Sequence, residues 1–252
     1  MHLGPWLFSL ILSPERRQHL PTMNDLPENL FANPVWHALQ TKHRHFALSS
    51  GEAARYPADV APFAAVASPD IAALQALHSL LEPRESVWLI GETYPTISSL
   101  VCEANLDCLQ MVLPEGVPPP ALSQEIVPLS SANAQEMVAL TDIAFPGFFR
   151  SRTCEMGTYY GIRFNGELIA MGGERLTLDG YPEISGICTH PAHRGKGHAA
   201  SLIWQLVRNH RRDALVSWLH VSTDNHHAID LYRKMGFNVV RKVTLHRLRR
   251  NY

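Results

Sequence analysis

Apolar residues recur along this chain with two periods, and the changes of period mark out its elements. Pro34 precedes Val35, Trp36 and Leu39, an apolar face that predicts a short helix opening at the proline. Leu74, Leu77, His78 and Leu81 share one stripe and predict a second helix over 71–81. The compact run Ser86–Gly91 and the run Leu109–Leu113 predict two strands. The stretch from Pro114 to Pro120 can continue neither, because proline lacks the amide donor and fixes its own φ.

Beyond that stretch the pattern predicts a strand over 125–129 and a helix over 134–144 with Met137, Leu140 and Ile143 or Ala144 inward, broken by Phe145-Pro-Gly-Phe-Phe149. Thr158–Phe164 and Glu167–Leu176 flank Asn165-Gly166, a two-residue hairpin turn. A strand over 183–189 stops at Pro191. Ala199, Leu202, Ile203, Leu206 and Val207 then define a helical stripe. Leu215–Val221 reads as a strand, Ala228–Met235 as a helix ended by Gly236, and Val239–Leu248 as a closing hairpin. The order β-α-β-β-β-α-β-α-β-β predicts an α+β domain on a largely antiparallel sheet.

Charge divides the chain at the same place. Residues 1–122 hold 6 Lys/Arg against 12 Asp/Glu, and the remainder holds 16 against 11, within an overall net charge of −1. The expectation is therefore a 24–120 accessory unit and a 121–252 unit better suited to an anionic ligand. Residues 1–23 carry neither a basic lead nor a cleavage site around Leu3–Leu12, so the reading is a disordered extension, with Met23 opening the functional chain. Four scattered cysteines without a CxxC pair exclude a disulfide framework and fit a reducing cytosol. No apolar run approaches the roughly 20 residues that span a bilayer. The basic excess is too scattered for nucleic acid, and the 14 histidines form no metal-ligand motif, so no metal is expected.

The passage Glu183-Ile-Ser-Gly-Ile-Cys-Thr-His-Pro-Ala-His-Arg194-Gly195-Lys196-Gly197-His198-Ala199-Ala200 carries chemistry. A strand ends at proline, and a glycine-bearing turn runs straight into an amphipathic helix. Such a turn aims backbone N–H groups at one point, and the helix N-terminus adds partial positive charge. Gly195 and Gly197 allow close approach of a pyrophosphate, and Arg194 and Lys196 add counter-charge. The turn is neither a Walker loop nor a dinucleotide fingerprint. On its own it is equally a plain strand–turn–helix.

A second passage, Asn225-His-His-Ala228-Ile-Asp-Leu-Tyr232-Arg-Lys-Met-Gly236-Phe237, breaks that tie. Together the two resemble the GNAT superfamily of acetyl-CoA-dependent N-acyltransferases. Arg194, Gly197 and Ala199 match its [Q/R]-x-x-G-x-[G/A] loop, and Asn225, Ala228, Tyr232, Gly236 and Phe237 match its later helix motif. The wording from Ile184 to Ala199 looks most like the FR47-like branch, and the resemblance covers roughly Glu125–Tyr252. It implies a GNAT fold in the second half, with the first half as an accessory or degenerate lobe.

The resemblance also implies roles. Ile187, Cys188 and Thr189 would offer free backbone groups to the pantetheine arm and thioester carbonyl. Gly195 to Ala200, with His198 and Ala199 between, would hold the pyrophosphate, and Asn225 would bond the pantetheine. Tyr232 would protonate the departing thiolate. Glu183, six residues before Thr189, would be the general base, with Glu174 as its rival and His190 and His220 as weaker candidates. Cys188 sits mid-strand and is not expected to act as a nucleophile. The acceptor would enter near Phe145–Phe149 and Tyr159-Tyr160. The expected activity is acetyl transfer from acetyl-CoA to a primary amine, small molecule or peptide, by direct attack in a ternary complex in the cytoplasm. The alternatives are a protein N-terminal or lysine acetyltransferase and a non-catalytic acyl-CoA-binding module. Oligomeric state stays open, a homodimer included.

Overall fold

A computed structural model describes residues 28–91, 93–121, 124–144 and 146–252. The expected extension over 1–23 and the start at Met23 lie outside them. Two short helices come first, α1 (Glu28–Ala32) and α2 (Pro34–Gln40). Asn33 caps α2 by accepting from Trp36 N, while its Nδ2 donates to Val66 O at 2.7 Å. A three-stranded antiparallel sheet follows, β1 (Leu48–Ser50), β2 (Ala53–Arg55) and β3 (Ala64–Val66). Asp70 then caps α3 (Ile71–Leu80) through Ala73 N at 2.8 Å.

The remaining strands build one sheet of eight. They are β4 (Ser86–Gly91), β5 (Leu100–Val112), β6 (Val127–Leu129), β7 (Tyr159–Phe164), β8 (Glu167–Leu178), β9 (Tyr181–Thr189), β10 (Trp218–Ser222) and β11 (Asn238–Arg250). Their spatial order is β4-β11-β5-β10-β9-β8-β7-β6, and every neighbouring pair is antiparallel except β9 with β10. Helices α4 (Ala134–Ala144), α5 (His198–Arg212) and α6 (His226–Lys234) complete the α+β fold predicted from the residue pattern.

Two expectations change. The closing hairpin over 239–248 is a single 13-residue strand, and the partner it needs comes from the first half: β5 lies between β10 and β11. The boundary at residue 120 accordingly does not separate two sheets or two cores. Phe31, Val35, Leu39, Tyr56 and Phe63 pack in one buried cluster with Leu176, Leu178, Tyr181, Trp218 and Val243. The proline stretch is a strap instead. Arg211 donates to Val117 O and Arg208 to Pro120 O, so it is held across α5. Proline-rich sequence fixes the local conformation but says nothing of whether the strands on either side share a sheet.

Candidate active site

Between β9 and β10 a single parallel rung, Trp218 with Glu183, is made among the described residues. A bulge explains why the strands part there. On β9, Gly186 and Ile187 stand opposite one residue of β8, between the pairs Gly173–Ser185 and Met171–Cys188. Gly186 takes φ +63, which a glycine adopts without steric cost. The bulge bends β9 away from β10 and leaves a gap in the sheet. Two hollows meet at this gap and share Ile187, Asn225 and Tyr232 in their walls.

The outer hollow is a cleft of about 620 Å³. One side is the β9 edge at Ile187, Cys188 and Thr189; its floor is the turn through Arg194, Gly195 and Gly197 and the start of α5 at His198, Ala199 and Ala200. Of the residues expected here, Lys196 alone does not line the cleft, and it is exposed. Gly197, at φ +77, is the residue before α5, and as glycine it has no side chain with which to cap that helix. The first-turn N–H groups therefore have no intrahelical acceptor and face the cleft. A Cβ added at Gly195 or Gly197 would meet nothing within 4 Å, so the bare backbone is open to a ligand. The turn is clamped from behind. Gln124 Nε2 donates to Lys196 O at 3.0 Å, and its Oε1 accepts from His198 Nδ1 at 2.6 Å. Burial, then the charges of Lys196 and His193, lower the His198 pKa, which keeps that ring neutral.

Asn225 caps α6, its Oδ1 accepting from Ala228 N at 3.1 Å. Its Nδ2 stays available to both hollows. Tyr232, about two turns further along α6, packs its ring against Phe237 at 5.8 Å. Burial pushes its hydroxyl up to about 12, so the phenol carries its proton at any working pH.

The inner hollow, about 150 Å³, reaches from Tyr232 to Arg175, Phe148 and His220. Phe148 is the member of the expected aromatic wall that lines it. Its ring lies 6.0 Å from Phe63 and 5.4 Å from Trp88, so the first half of the chain supports the wall. Phe145 lies outside the described residues. Tyr159 is buried against Phe149, and the Tyr160 hydroxyl accepts from Asn209 Nδ2 at 2.6 Å; neither tyrosine borders this hollow.

Glu183 is not a free base. Its side chain is fully buried and borders neither hollow. Arg175 Nε and Nη2 donate to it at 3.0 and 2.6 Å, Leu176 N at 3.1 Å and His220 Nδ1 at 2.7 Å. Burial by itself would raise this carboxyl, but the charges of Arg175 and then His220 and their hydrogen bonds override it and hold it at about 2. A strand position six residues before Thr189 does not reveal that Arg175 and His220 close over the carboxylate. The rival Glu174 is engaged as well, by Thr158 N at 3.0 Å and His210 Nε2 at 3.0 Å. His190 accepts from Ala192 N across its own turn. His220 does line the inner hollow; Gln110 Nε2 donates to Phe31 O at 2.8 Å and also reaches His220 Nε2 at 3.1 Å. On the other side of the ring, Nδ1 faces Glu183 Oε1 at 2.7 Å. Sequence reasoning missed Arg175, Gly186 and Gln124. An arginine in an alternating strand and a glycine beside a serine carried no motif.

A mixed sheet opened beside a glycine turn that starts a helix, with a proton-bearing tyrosine in the gap, makes a cleft suited to an anionic ligand. Comparison with known proteins narrows this. Residues 130–237 match the Acetyltransferase (GNAT) family. The crystal structure of a GNAT-family protein from Novosphingobium aromaticivorans DSM 12444 is 33% identical, with a TM-score of 0.81 over 88% of this chain and 99% of that one. A GCN5-related N-acetyltransferase from Kribbella flavida shares the fold at 15% identity, with a TM-score of 0.57 over 86% of this chain and 96% of that one. An uncharacterized protein of Mycobacterium leprae (strain TN) is 30% identical over 214 residues, 75% of this chain and 56% of the relative. The chain thus spans about half the length of that curated relative. It belongs to the GNAT acetyltransferase family.

Proposed function

We propose that the protein transfers an acetyl group from acetyl-CoA to a primary amine by direct attack in a ternary complex. The observation that carries this reading is the meeting of the two hollows at Tyr232, one floored by the bare glycine turn and the other walled by Phe148 and Arg175. The turn and the first N–H groups of α5 would hold the pyrophosphate. The bulged β9 edge at Ile187–Thr189 and Asn225 Nδ2 would orient the pantetheine arm, with a β9 N–H meeting the developing oxyanion. The amine, entering by the inner hollow, forms its bond to the acetyl carbon as the carbon–sulfur bond breaks. Tyr232 gives its proton to the departing thiolate, and the surplus proton of the amine leaves to water.

Titration calorimetry with acetyl-CoA, followed by thiol release with a panel of amines, tests this. Binding with amine-dependent release is expected. Binding without release for every amine and peptide offered would leave the acyl-CoA-binding module as the reading.

A further inference from the structure

The inner hollow has a wall in which a paired guanidinium keeps hydrogen-bond donors to spare. Arg175 lies mid-strand on β8, and its side chain keeps only 11% of its exposure. Its fork is fixed on two sides: Nε and Nη2 grip Glu183, and Cζ sits 4.7 Å above the Phe63 ring. Nη1 has no hydrogen-bond partner among the described residues, yet it is not one of the buried polar atoms left without a partner, so it keeps solvent access. The spaces that Arg175 borders are the inner hollow and a small void beside it, behind Phe148. Replacing a buried ion pair by apolar residues of the same shape often costs little stability. What this pair does uniquely is hold a guanidinium in one orientation, with two N–H bonds left over at the edge of a cavity.

The rest of that wall fits the same conclusion. No carboxylate lines the inner hollow among the described residues, so an ammonium tail would find no counter-ion. Ser185, Ser222 and Asn225 add hydroxyl and amide donors. A volume of about 150 Å³ corresponds to on the order of five waters, enough for a small molecule.

From these observations we infer that Arg175 binds a carboxylate on the acceptor, so that the amine acetylated is that of a small amino acid. The inference rests on the acetyl-transfer reading above and names its substrate class. The carboxylate would take the Nη1 edge of Arg175, and the amine of the same molecule would point along the hollow toward Tyr232 and the β9 edge.

The test is thiol release from acetyl-CoA with glycine, alanine and β-alanine, each against its own amide, and with spermidine. The amides are the less basic amines and hold more free base at neutral pH, so a preference for the acids runs against intrinsic reactivity. The acids are expected to exceed their amides in kcat/KM by about 10- to 100-fold, the range of a lost charged hydrogen bond. In Arg175→Met/Glu183→Gln, which removes both buried charges together, the ratio should fall to near one with the Kd for acetyl-CoA unchanged. Should that double variant not fold, Arg175→Lys keeps the charge but loses the fork, and should cut the ratio several-fold. Amides or spermidine turned over as well as the acids, or a ratio that survives in these variants, would overturn the assignment while leaving acetyl transfer in place. Acetyl-CoA binding with no release from any acceptor would overturn both.

Discussion

Trp218 and Glu183 face each other across the rung that joins β9 to β10, and the sheet opens immediately beyond them. Trp218 is fully buried and its Nε1 donates to Tyr181 O at 2.9 Å. Glu183 is anchored from the other side by Arg175, Leu176 and His220. The gap in which the chemistry is placed thus begins at a rung locked on both strands. Rigid support next to an opening is what a site needs if bound groups are to be held in register.

Gly197→Val should abolish tight acetyl-CoA binding, because a branched side chain at φ +77 occupies the space the pyrophosphate needs. Gly180→Val is the control: it has φ +81 in the β8–β9 turn, with nothing within 4 Å. Both variants should lose about 1–2 kcal/mol of stability from the left-handed backbone. Calorimetry should find binding lost only in the first.

Tyr232→Phe removes the hydroxyl and retains the ring packing on Phe237. A fall in kcat of about 10²-fold with unchanged acetyl-CoA affinity is expected. Since the wild-type hydroxyl titrates at about 12, the kcat profile should show no loss assignable to this group below roughly pH 11. Equal kcat in the two proteins, with acyl transfer shown to limit the rate, would remove Tyr232 from the reaction.

Glu183→Gln leaves the Arg175 charge buried without its partner. It should destabilise the protein by about 3–5 kcal/mol, the cost of breaking one side of a buried pair. Arg175→Met/Glu183→Gln should recover most of that loss in denaturant unfolding. A single variant as stable as wild type would show that the pair is not what holds this part of β9.

Acid should weaken the fold in two stages. His43 is buried between the Tyr56 hydroxyl and Met156 O, and burial lowers it from 6.5 to about 4. The unfolded chain takes up that proton first, so this contribution is complete above about 6.5 and lost as pH falls toward 4. Glu183, held at about 2 against 4.5, contributes fully above 4.5 and is lost as pH falls toward 2. Denaturant midpoints measured from pH 8 to pH 2.5 should therefore begin to drop near pH 6.5. His43→Gln should move the onset down toward 4.5.

A fragment of residues 121–252 should give no cooperative unfolding transition, because β5 fills the place between β10 and β11. Calorimetric melting of the fragment against the whole chain decides this. A sharp transition in the fragment would restore residue 120 as a domain boundary.

Helices α2 to α6, the hairpin at Asn165-Gly166 and the strand leading into the glycine turn were legible because each is announced locally, by a stripe, a cap or a turn, whereas α1 carries no such signal. The first half of β5 was not. From Cys102 to Asn105 it is partly or fully exposed and carries Glu103 and Asn105, so no apolar alternation marks it. What holds it is across the sheet: Glu103 pairs with Arg247 and Arg249, and Asp107 with Lys242. Such complementarity is invisible until the register is known. The site divides in the same way. The turn and Tyr232 lay in contiguous motifs, whereas Arg175, Glu183 and His220 come from three strands and acquire meaning only together.

The wedging of β5 between two later strands also sets a timetable for synthesis. β5 is finished at residue 112, and β11 begins at residue 238. At ordinary translation speed the ribosome needs roughly 6–25 seconds to cover that interval. Its β10 edge stays bare until residue 222 is made and its β11 edge for the whole interval, a template for any passing strand. Leu100–Val112 must therefore avoid wrong partners for as long as an edge is bare. Its exposed stretch Cys102–Asn105, with the charge of Glu103, is the feature that suits it to that wait.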